Sequence, residues 1–263
     1  SISTGKLFLG GIIPGVMCGL AQMVVSYFMA KKEGVQREEG HFEIKPLIHG
    51  FMESWPALLM PIIIVGSITL GIVSPTEAGV IAVAYGLFAG GIVYRELTWA
   101  DIKFGLLDTV KVSGRIFIVI AAAKLYTVML TTAGFDKWMA NTMLGFSTNP
   151  TVILCMILLL FFIVTMFMES IATLTLFMPI LYPIAMSVGI DPVVLCVLIT
   201  VVIGIGLVTP PVGMCIYVAC DLQDISVGEV FPTLIPFIAA TFICIALMIA
   251  FPQLVLLPTY LMA

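Results

Sequence analysis

Charged residues are scarce in this chain. Of its 263 residues only 10% are Asp, Glu, Lys or Arg, whereas 61% are hydrophobic. A soluble domain of ordinary composition carries about 25% charged residues, so this deficit excludes a soluble globular protein. Long apolar runs satisfy their backbone groups in lipid as helices. The sequence therefore predicts an all-α membrane protein with several spans.

The residue patterns of common catalytic and nucleotide sites are also missing. The chain has only two histidines, His41 and His49, and it contains no HExxH, GxSxG or Walker A sequence. Its six cysteines include no CxxC pair and lie in or next to apolar segments, as small core residues do. These absences argue against a membrane enzyme, such as an intramembrane protease or a lipid transferase, and against a permease that binds ATP on this chain. Neither a cofactor nor a nucleic-acid partner is expected.

The sequence instead contains apolar segments that are about as long as a membrane-spanning helix. About 20 apolar residues cross a bilayer, and five segments approach or reach that length: residues 7–30, 56–73, 80–94, 116–132 and 232–256. Three further stretches are predicted to lie along the membrane surface as interfacial or amphipathic helices: residues 46–55, 95–115 and 134–149. Residues 220–231 are predicted to form a polar loop.

Lysine and arginine residues are concentrated in two segments, which sets the predicted orientation. The first segment carries Lys31, Lys32, Arg37 and Lys45, and the second carries Arg95, Lys103, Lys111 and Arg115. Cytoplasmic loops are enriched in these residues. Because two spans separate the segments, both are predicted to be cytoplasmic, and the C-terminus is then predicted to be extracytoplasmic.

Two long apolar segments contain polar interruptions. Residues 150–189 are too many for one span, and their only charge, Glu169, lies near the middle, so a re-entrant hairpin with Glu169 at its tip is predicted. Residues 193–219 form a span that GIGLVTPPVG breaks at 204–213. Non-helical backbone at membrane depth is tolerated only where protein buries it or where it lines a wet cavity. Paired interruptions of this kind are typical of the ion and substrate sites of transporters.

The chemistry available at the two interruptions favours a small, hard cation. Pro210 and Pro211 lack N–H groups, so the carbonyls of Gly206 and Leu207 are predicted to be left free to coordinate an ion. Hydroxyl oxygens come from three side chains: Ser170, Thr173 and Thr209. Ligation by oxygen alone suits a hard cation, and the glycines let the backbone approach an ion closely.

Each of these features also has a plainer interpretation. A proline kink alone is the alternative at residues 210–211. Glu169 either ligates a cation or caps the helix that follows the hairpin tip. Lys124, inside the fourth span, either snorkels to the surface or pairs with a carboxylate. SPTEAG at 74–79 is interpreted as a capped turn, with Ser74 or Thr76 as the cap and no chemistry assigned.

Three sequences together resemble the large membrane subunit of tripartite ATP-independent periplasmic (TRAP) transporters: SPTEAGVIAVAYGL (74–87), MFMESIATLTLFMPILYPIA (166–185) and IGIGLVTPPVGMCIYVA (203–219). The resemblance implies an elevator-type ion-transporter fold built from inverted repeats, each with a re-entrant hairpin and a broken helix. It implies that this chain holds one such repeat and one extra helix. The implied divisions are 1–45 (last helix of the first repeat and a cytoplasmic linker), 46–149 (scaffold helices with an interfacial arm), 150–222 (transport-domain hairpin and broken helix) and 223–263 (C-terminal helix).

The resemblance also implies a function, which is sodium-coupled uptake of a small carboxylate. The carboxylate is delivered by a periplasmic substrate-binding protein, and a small four-helix membrane subunit accompanies the large one in the lipid bilayer. The chain is then a transporter and not an enzyme, in the bacterial inner membrane with a periplasmic C-terminus. The implied sodium site comprises Met168, Glu169, Ser170, Thr173, Gly206, Thr209, Pro210 and Gly213. The alternative is a sodium- or proton-coupled elevator transporter that works without a binding protein.

Overall fold

A computed structural model describes residues 3–34 and 44–262, and within those ranges the chain is helical with no strand. The eleven α-helices are α1 (Thr4–Lys32), α2 (Ile44–Thr69), α3 (Pro75–Phe88), α4 (Trp99–Thr132), α5 (Phe135–Phe146), α6 (Pro150–Thr165), α7 (Ser170–Ser187), α8 (Pro192–Gly206), α9 (Met214–Gln223), α10 (Val227–Ala250) and α11 (Gln253–Leu256). A π-helical turn, Ala89–Val93, extends α3, and a 3-10 turn, Leu257–Met262, ends the described chain. Arg37 of the predicted cytoplasmic loop lies outside the described residues.

Several helices begin with a polar cap followed by proline. The side chains of Asn149 and Asp191 accept backbone N–H groups at the starts of α6 and α8, and proline follows each cap because its fixed φ suits the first helical position. Ser74 and Glu77 form a reciprocal capping box at the start of α3. The interpretation of SPTEAG as a capped turn is thereby confirmed, with Ser74 as the cap.

Helix length distinguishes the helices that are long enough to cross a membrane from those that are not. Within the described residues, six helical stretches are long and apolar enough to span: α1, α2, α3 with its π-turn, α4, α7 and α10. Helices α6 and α8 have only 16 and 15 residues, or about 24 and 22 Å at 1.5 Å per residue. Both are shorter than the roughly 30 Å hydrocarbon core, which suits helices that end inside the membrane.

Three predicted boundaries are wrong. Residues 46–55 and 56–73 are not separate helices, because α2 runs through Pro56 and Pro61 without a break. A membrane helix tolerates isolated prolines because neighbouring groups satisfy the freed carbonyls. Residues 95–115 and 116–132 are likewise joined, from Trp99 onward, in the 34-residue α4, which no proline interrupts. The polar loop predicted at 220–231 shrinks to three residues, since α9 ends at Gln223 and α10 begins at Val227.

The hydrophobic core lies between α6, α8 and α10. Phe161, Leu198 and Met248, one from each of these helices, are fully buried, and they belong to one contiguous cluster that also takes in parts of α7 and α11. Helix α1 packs against α8 and α10. Its Gln22 amide donates to the Thr241 hydroxyl of α10 at 2.7 Å, so a polar contact fixes α1 to this core.

Helix α4 is packed differently. None of its 34 residues is buried, and its main neighbour is α7. The Thr127 hydroxyl of α4 lies 3.5 Å from the carbonyl oxygen of Thr175 on α7. The helix therefore touches the hairpin along one side and presents its other sides to lipid or to protein.

The ends of α6 and α8 meet because Gly206 has no side chain. A Cβ atom built on Gly206 would lie 2.7 Å from the Cβ of Thr165 and closer still to its hydroxyl oxygen. Thr165 is the last residue of α6 and Gly206 is the last residue of α8. Glycine at 206 is thus what allows both helices to stop at the same place.

We expect Gly206→Ala to destabilise the protein by about 1–3 kcal/mol, the usual cost of overpacking a tight contact. The measurement is the midpoint of thermal unfolding of the purified protein in detergent. Gly204→Ala is the matched control, because it changes the same helix at a position where an added Cβ meets nothing within 4 Å. Equal midpoints for the two variants would show that the close packing of α6 on α8 is not required.

Candidate functional site

The two predicted interruptions contact each other. Residues 166–169 separate α6 from α7, and residues 207–213 separate α8 from α9. The backbone N–H of Val212 donates to the carbonyl oxygen of Met166 at 3.1 Å. Together with the packing of Gly206 on Thr165, this bond joins the two unwound segments into one structural unit. A simple proline kink in an otherwise continuous α8 is excluded.

Helix ends of both polarities meet at these segments. In each break one helix ends, α6 or α8, and another begins, α7 or α9. A helix C-terminus carries partial negative charge and a helix N-terminus partial positive charge. The breaks therefore offer favourable positions to a cation near the ends of α6 and α8 and to an anionic group near the starts of α7 and α9.

Glu169 caps the start of α7. Its Oε2 atom accepts the N–H groups of Ile171 at 2.9 Å and Ala172 at 3.2 Å, so the capping interpretation is confirmed. The half-buried carboxylate is stabilised by two donors and by the helix dipole. Its other oxygen, Oε1, makes no hydrogen bond with another described residue, and a second role as ligand stays a prediction.

One buried hydroxyl oxygen lies in the first turn after the hairpin tip, and another lies within the second break. Thr173 is 0% exposed and Thr209 is 6% exposed. Each donates its hydroxyl hydrogen to a backbone carbonyl four residues earlier, Thr173 to Glu169 at 3.0 Å and Thr209 to Ile205 at 2.7 Å. Because the hydrogen is directed at the backbone, the oxygen lone pairs are left for another partner. Ser170, half-buried at the first position of α7, makes no side-chain hydrogen bond with any described residue.

The free carbonyls are not the predicted ones. Gly206 accepts the N–H of Thr209 at 3.2 Å, and Leu207 accepts the N–H of Cys215 at 3.1 Å. The prolines do remove two donors, but the chain folds back so that other N–H groups replace them. Within the two breaks of the described structure, the carbonyls that accept no hydrogen bond lie further on, at Val208, Thr209, Pro210, Pro211 and Val212, and at Phe167 and Met168 of the hairpin tip.

The remaining predicted residues shape the turns. Met168 is half-buried in the hairpin turn, where its N–H donates to Val164 at 2.9 Å. Pro210 joins Pro211 through a cis peptide bond. Gly213 caps α9 in the left-handed region, with φ of +44°, and a Cβ there would lie 3.1 Å from the carbonyl oxygen of Thr209. Only glycine combines this φ with so close an approach of the backbone.

The donor set is that of a hard cation. Within the described ranges no three His, Cys, Asp or Glu side chains come together as metal ligands. The breaks instead offer hydroxyl and carbonyl oxygens, which suit ions that prefer oxygen over nitrogen or sulfur. This arrangement can hold an alkali or alkaline-earth cation through neutral oxygens without any change of covalent structure.

Sequence reasoning missed the residues that join the breaks. Of the residues that make the contacts between them, only Gly206 was predicted, and Thr165, Met166 and Val212 were not. Thr165 is a polar residue at the end of an apolar run, a signal that was present in the sequence. The hydrogen bond from Val212 to Met166 uses main-chain atoms only, so the types of side chain in the sequence do not predict it.

Comparison with known proteins identifies the family. Residues 1–254 match the sequence model described as "Tripartite ATP-independent periplasmic transporter, DctM component". The chain is 36% identical over 237 residues to the isethionate TRAP transporter permease protein of Oleidesulfovibrio alaskensis, with 90% of this chain and 37% of the relative covered. It is 36% identical over 258 residues to the sialic acid TRAP transporter large permease protein of Vibrio cholerae, covering 97% of this chain and 60% of the relative.

A third relative has a different substrate in its name. The C4-dicarboxylate TRAP transporter large permease protein of Pseudomonas aeruginosa is 30% identical over 260 residues, which is 98% of this chain and 61% of that protein. The chain thus spans 37% to 61% of the lengths of these three relatives. The match takes in α1 to α10 and includes both breaks. The chain belongs to the DctM family, the large membrane component of tripartite ATP-independent periplasmic transporters.

Proposed function

We propose that this chain is part of the large membrane subunit of a sodium-coupled importer of small organic anions. The observation that carries the proposal is the contact between the two unwound segments, in which the Val212 N–H donates to the Met166 carbonyl. Non-helical backbone at membrane depth is tolerated only where protein buries it or where it lines a wet cavity, and the unpaired carbonyls at these breaks favour a cavity that holds a ligand. A transporter needs such a site, because an ion must bind there without being held permanently.

The oxygens at the breaks favour sodium as the coupling ion. The Thr173 and Thr209 hydroxyls are buried with lone pairs available, and several carbonyls nearby accept no hydrogen bond from a described residue. These ligands are neutral, and neutral oxygens compensate a single positive charge more readily than they compensate two. We therefore assign the site to a monovalent cation and propose elevator-type movement of the hairpin and broken helix as its transport step.

The partners follow from family membership. We propose that a periplasmic substrate-binding protein delivers the anion and that a small four-helix membrane subunit accompanies this chain. The relatives' names specify isethionate, sialic acid and C4-dicarboxylates, all of which carry a carboxylate or a sulfonate. The proposed location is the bacterial inner membrane, with the 31–45 and 95–115 segments in the cytoplasm and the C-terminus in the periplasm.

Thr209→Val should raise the sodium concentration for half-maximal uptake about tenfold or more in the complete transporter reconstituted in liposomes. The substitution keeps the shape of the side chain and removes its oxygen, and one polar contact to a charge contributes about 1.5–3 kcal/mol. Thr209→Ser, which retains the hydroxyl, should stay close to the parent protein.

Thr200→Val is the matched control for this test. Thr200 lies on α8, the helix that ends just before the break, and makes the same kind of bond, from its hydroxyl to the Cys196 carbonyl at 2.8 Å, but it is exposed and outside the break. Its sodium dependence should be unchanged. If Thr209→Val and Thr200→Val require the same sodium concentration for half-maximal uptake, the Thr209 oxygen does not contact the ion.

Glu169→Gln should leave the sodium dependence within about twofold of the parent protein, because an amide oxygen still accepts the two N–H groups. Glu169→Ala should lower the midpoint of thermal unfolding, since loss of a cap costs about 0.5–2 kcal/mol. Asp191→Ala is the control for a lost cap away from the breaks, where Oδ1 accepts the N–H groups of Val193 and Val194. A large loss of sodium affinity in Glu169→Gln would assign the charge itself to ion binding.

A further inference from the structure

An open cavity of about 630 Å³ lies between α4 and α7. Lys124 and Thr127 line it from α4, and Thr175 and Tyr182 line it from α7. The rest of the wall is aliphatic side chains, a methionine and a proline. Mostly apolar walls with a few polar groups are characteristic of sites for small molecules.

Lys124 places a positive charge at mid-depth on this cavity. It is the central residue of the apolar run 116–132, eight residues or about 12 Å from either end of the run along the helix. A cation at that depth is costly and marks a functional position by default. The one salt bridge in the described part of the chain joins His49 to Glu53, so no described carboxylate pairs with Lys124.

The other polar groups of the cavity complement Lys124. The Tyr182 hydroxyl makes no hydrogen bond with another described residue and is available as a donor. The Thr127 and Thr175 hydroxyls donate to the Ala123 and Ile171 carbonyls at 2.8 and 2.7 Å. A lysine and a phenol with no acceptor of their own, set among apolar walls, match the chemistry of an oxyanion.

The cavity adjoins the candidate ion site through α7. Thr173, buried at the break, and Thr175, on the cavity, are two residues apart, which is about 3 Å along the helix axis. An anion in the cavity and a cation at the break would therefore be neighbours across α7, and their opposite charges favour simultaneous occupancy.

We propose that Lys124 and Tyr182 bind the oxyanion of the transported solute, a carboxylate or a sulfonate, in the cavity between α4 and α7. This inference rests on the proposed function for the identity of the solute. A lipid phosphate has the same chemistry, but its headgroup belongs at the membrane surface, about 12 Å along the helix from Lys124. The site is therefore assigned to a solute.

Charge-selective thiol labelling tests the site without relying on transport. Val128 lines the cavity and is 58% exposed, so Val128→Cys in the complete transporter reports access to it. The probes are the anionic sulfonatoethyl and the cationic trimethylammonioethyl methanethiosulfonates. The anionic reagent should react faster, and Lys124→Gln should reduce the ratio of the two rates about tenfold, the scale on which a charged cleft concentrates ions.

Controls separate the cavity from general electrostatics. The protein without the added cysteine measures the background from the six native cysteines. Lys124→Arg should retain the anion preference, and Lys137→Gln, which removes an exposed charge on α5, should not change it. An unchanged ratio in Lys124→Gln, or no reaction with either reagent, would overturn the proposal, because Lys124 would then only snorkel or face lipid.

Vesicle composition distinguishes a solute from a lipid. With a solute site, the effect of Lys124→Gln is the same in phosphatidylcholine vesicles and in vesicles that also contain anionic phosphatidylglycerol. If the effect disappears only when phosphatidylglycerol is present, a lipid phosphate occupies the cavity and the assignment to a solute is wrong.

Uptake of succinate, sialic acid and isethionate completes the test. For whichever solute the parent transporter takes up, Lys124→Gln should raise KM, measured at saturating sodium, about tenfold or more, whereas Lys124→Arg should restore KM. An unchanged KM contradicts the role of Lys124. If the parent transporter takes up none of them with sodium, the proposed function fails, and the labelling ratios still decide whether the cavity attracts oxyanions.

Discussion

The need to satisfy backbone hydrogen bonds inside the membrane governs this structure. Two helices, α6 and α8, are too short to cross a bilayer. Each helix end leaves backbone polar groups that cannot form hydrogen bonds with lipid. In the folded chain the ends of α6 and α8 lie against each other, and polar groups of the two breaks form hydrogen bonds. Gly206 packs against Thr165, the Val212 N–H reaches the Met166 carbonyl, and Glu169 caps the next helix. The oxygens that remain unpaired are the ones available to an ion.

Packing differs between the part of the chain that holds this junction and the part beside it. Helices α6, α8 and α10 share a buried core that includes Phe161, Leu198 and Met248, so the ends that meet at the break are held on rigid elements. Helix α4 buries none of its residues and contacts α7 along one side. The hairpin is therefore packed into the buried core, whereas the contact between α4 and α7 lies outside that core.

Side-chain patterns in the sequence predicted the existence of both breaks but not their detailed bonding. The proline pair after Gly206 and the lone charge of Glu169 located the interruptions, because neither belongs in a continuous membrane helix. The continuity of α2 through Pro56 and of α4 through residues 115–116 was missed, since isolated prolines and polar residues permit either outcome. The carbonyls of Gly206 and Leu207 were expected to be free, yet the folded chain supplies Thr209 and Cys215 as donors. Main-chain contacts depend on the path of the backbone, which sequence pattern does not encode.

The central claim is that one ion contacts both unwound segments at once. Hydrogen–deuterium exchange of the complete transporter, compared in sodium chloride and potassium chloride, tests it most directly. The account predicts that sodium alone slows exchange in residues 165–173 and 207–216 together, with the same concentration dependence in both. No effect of sodium, or protection of one segment without the other, would contradict a shared site.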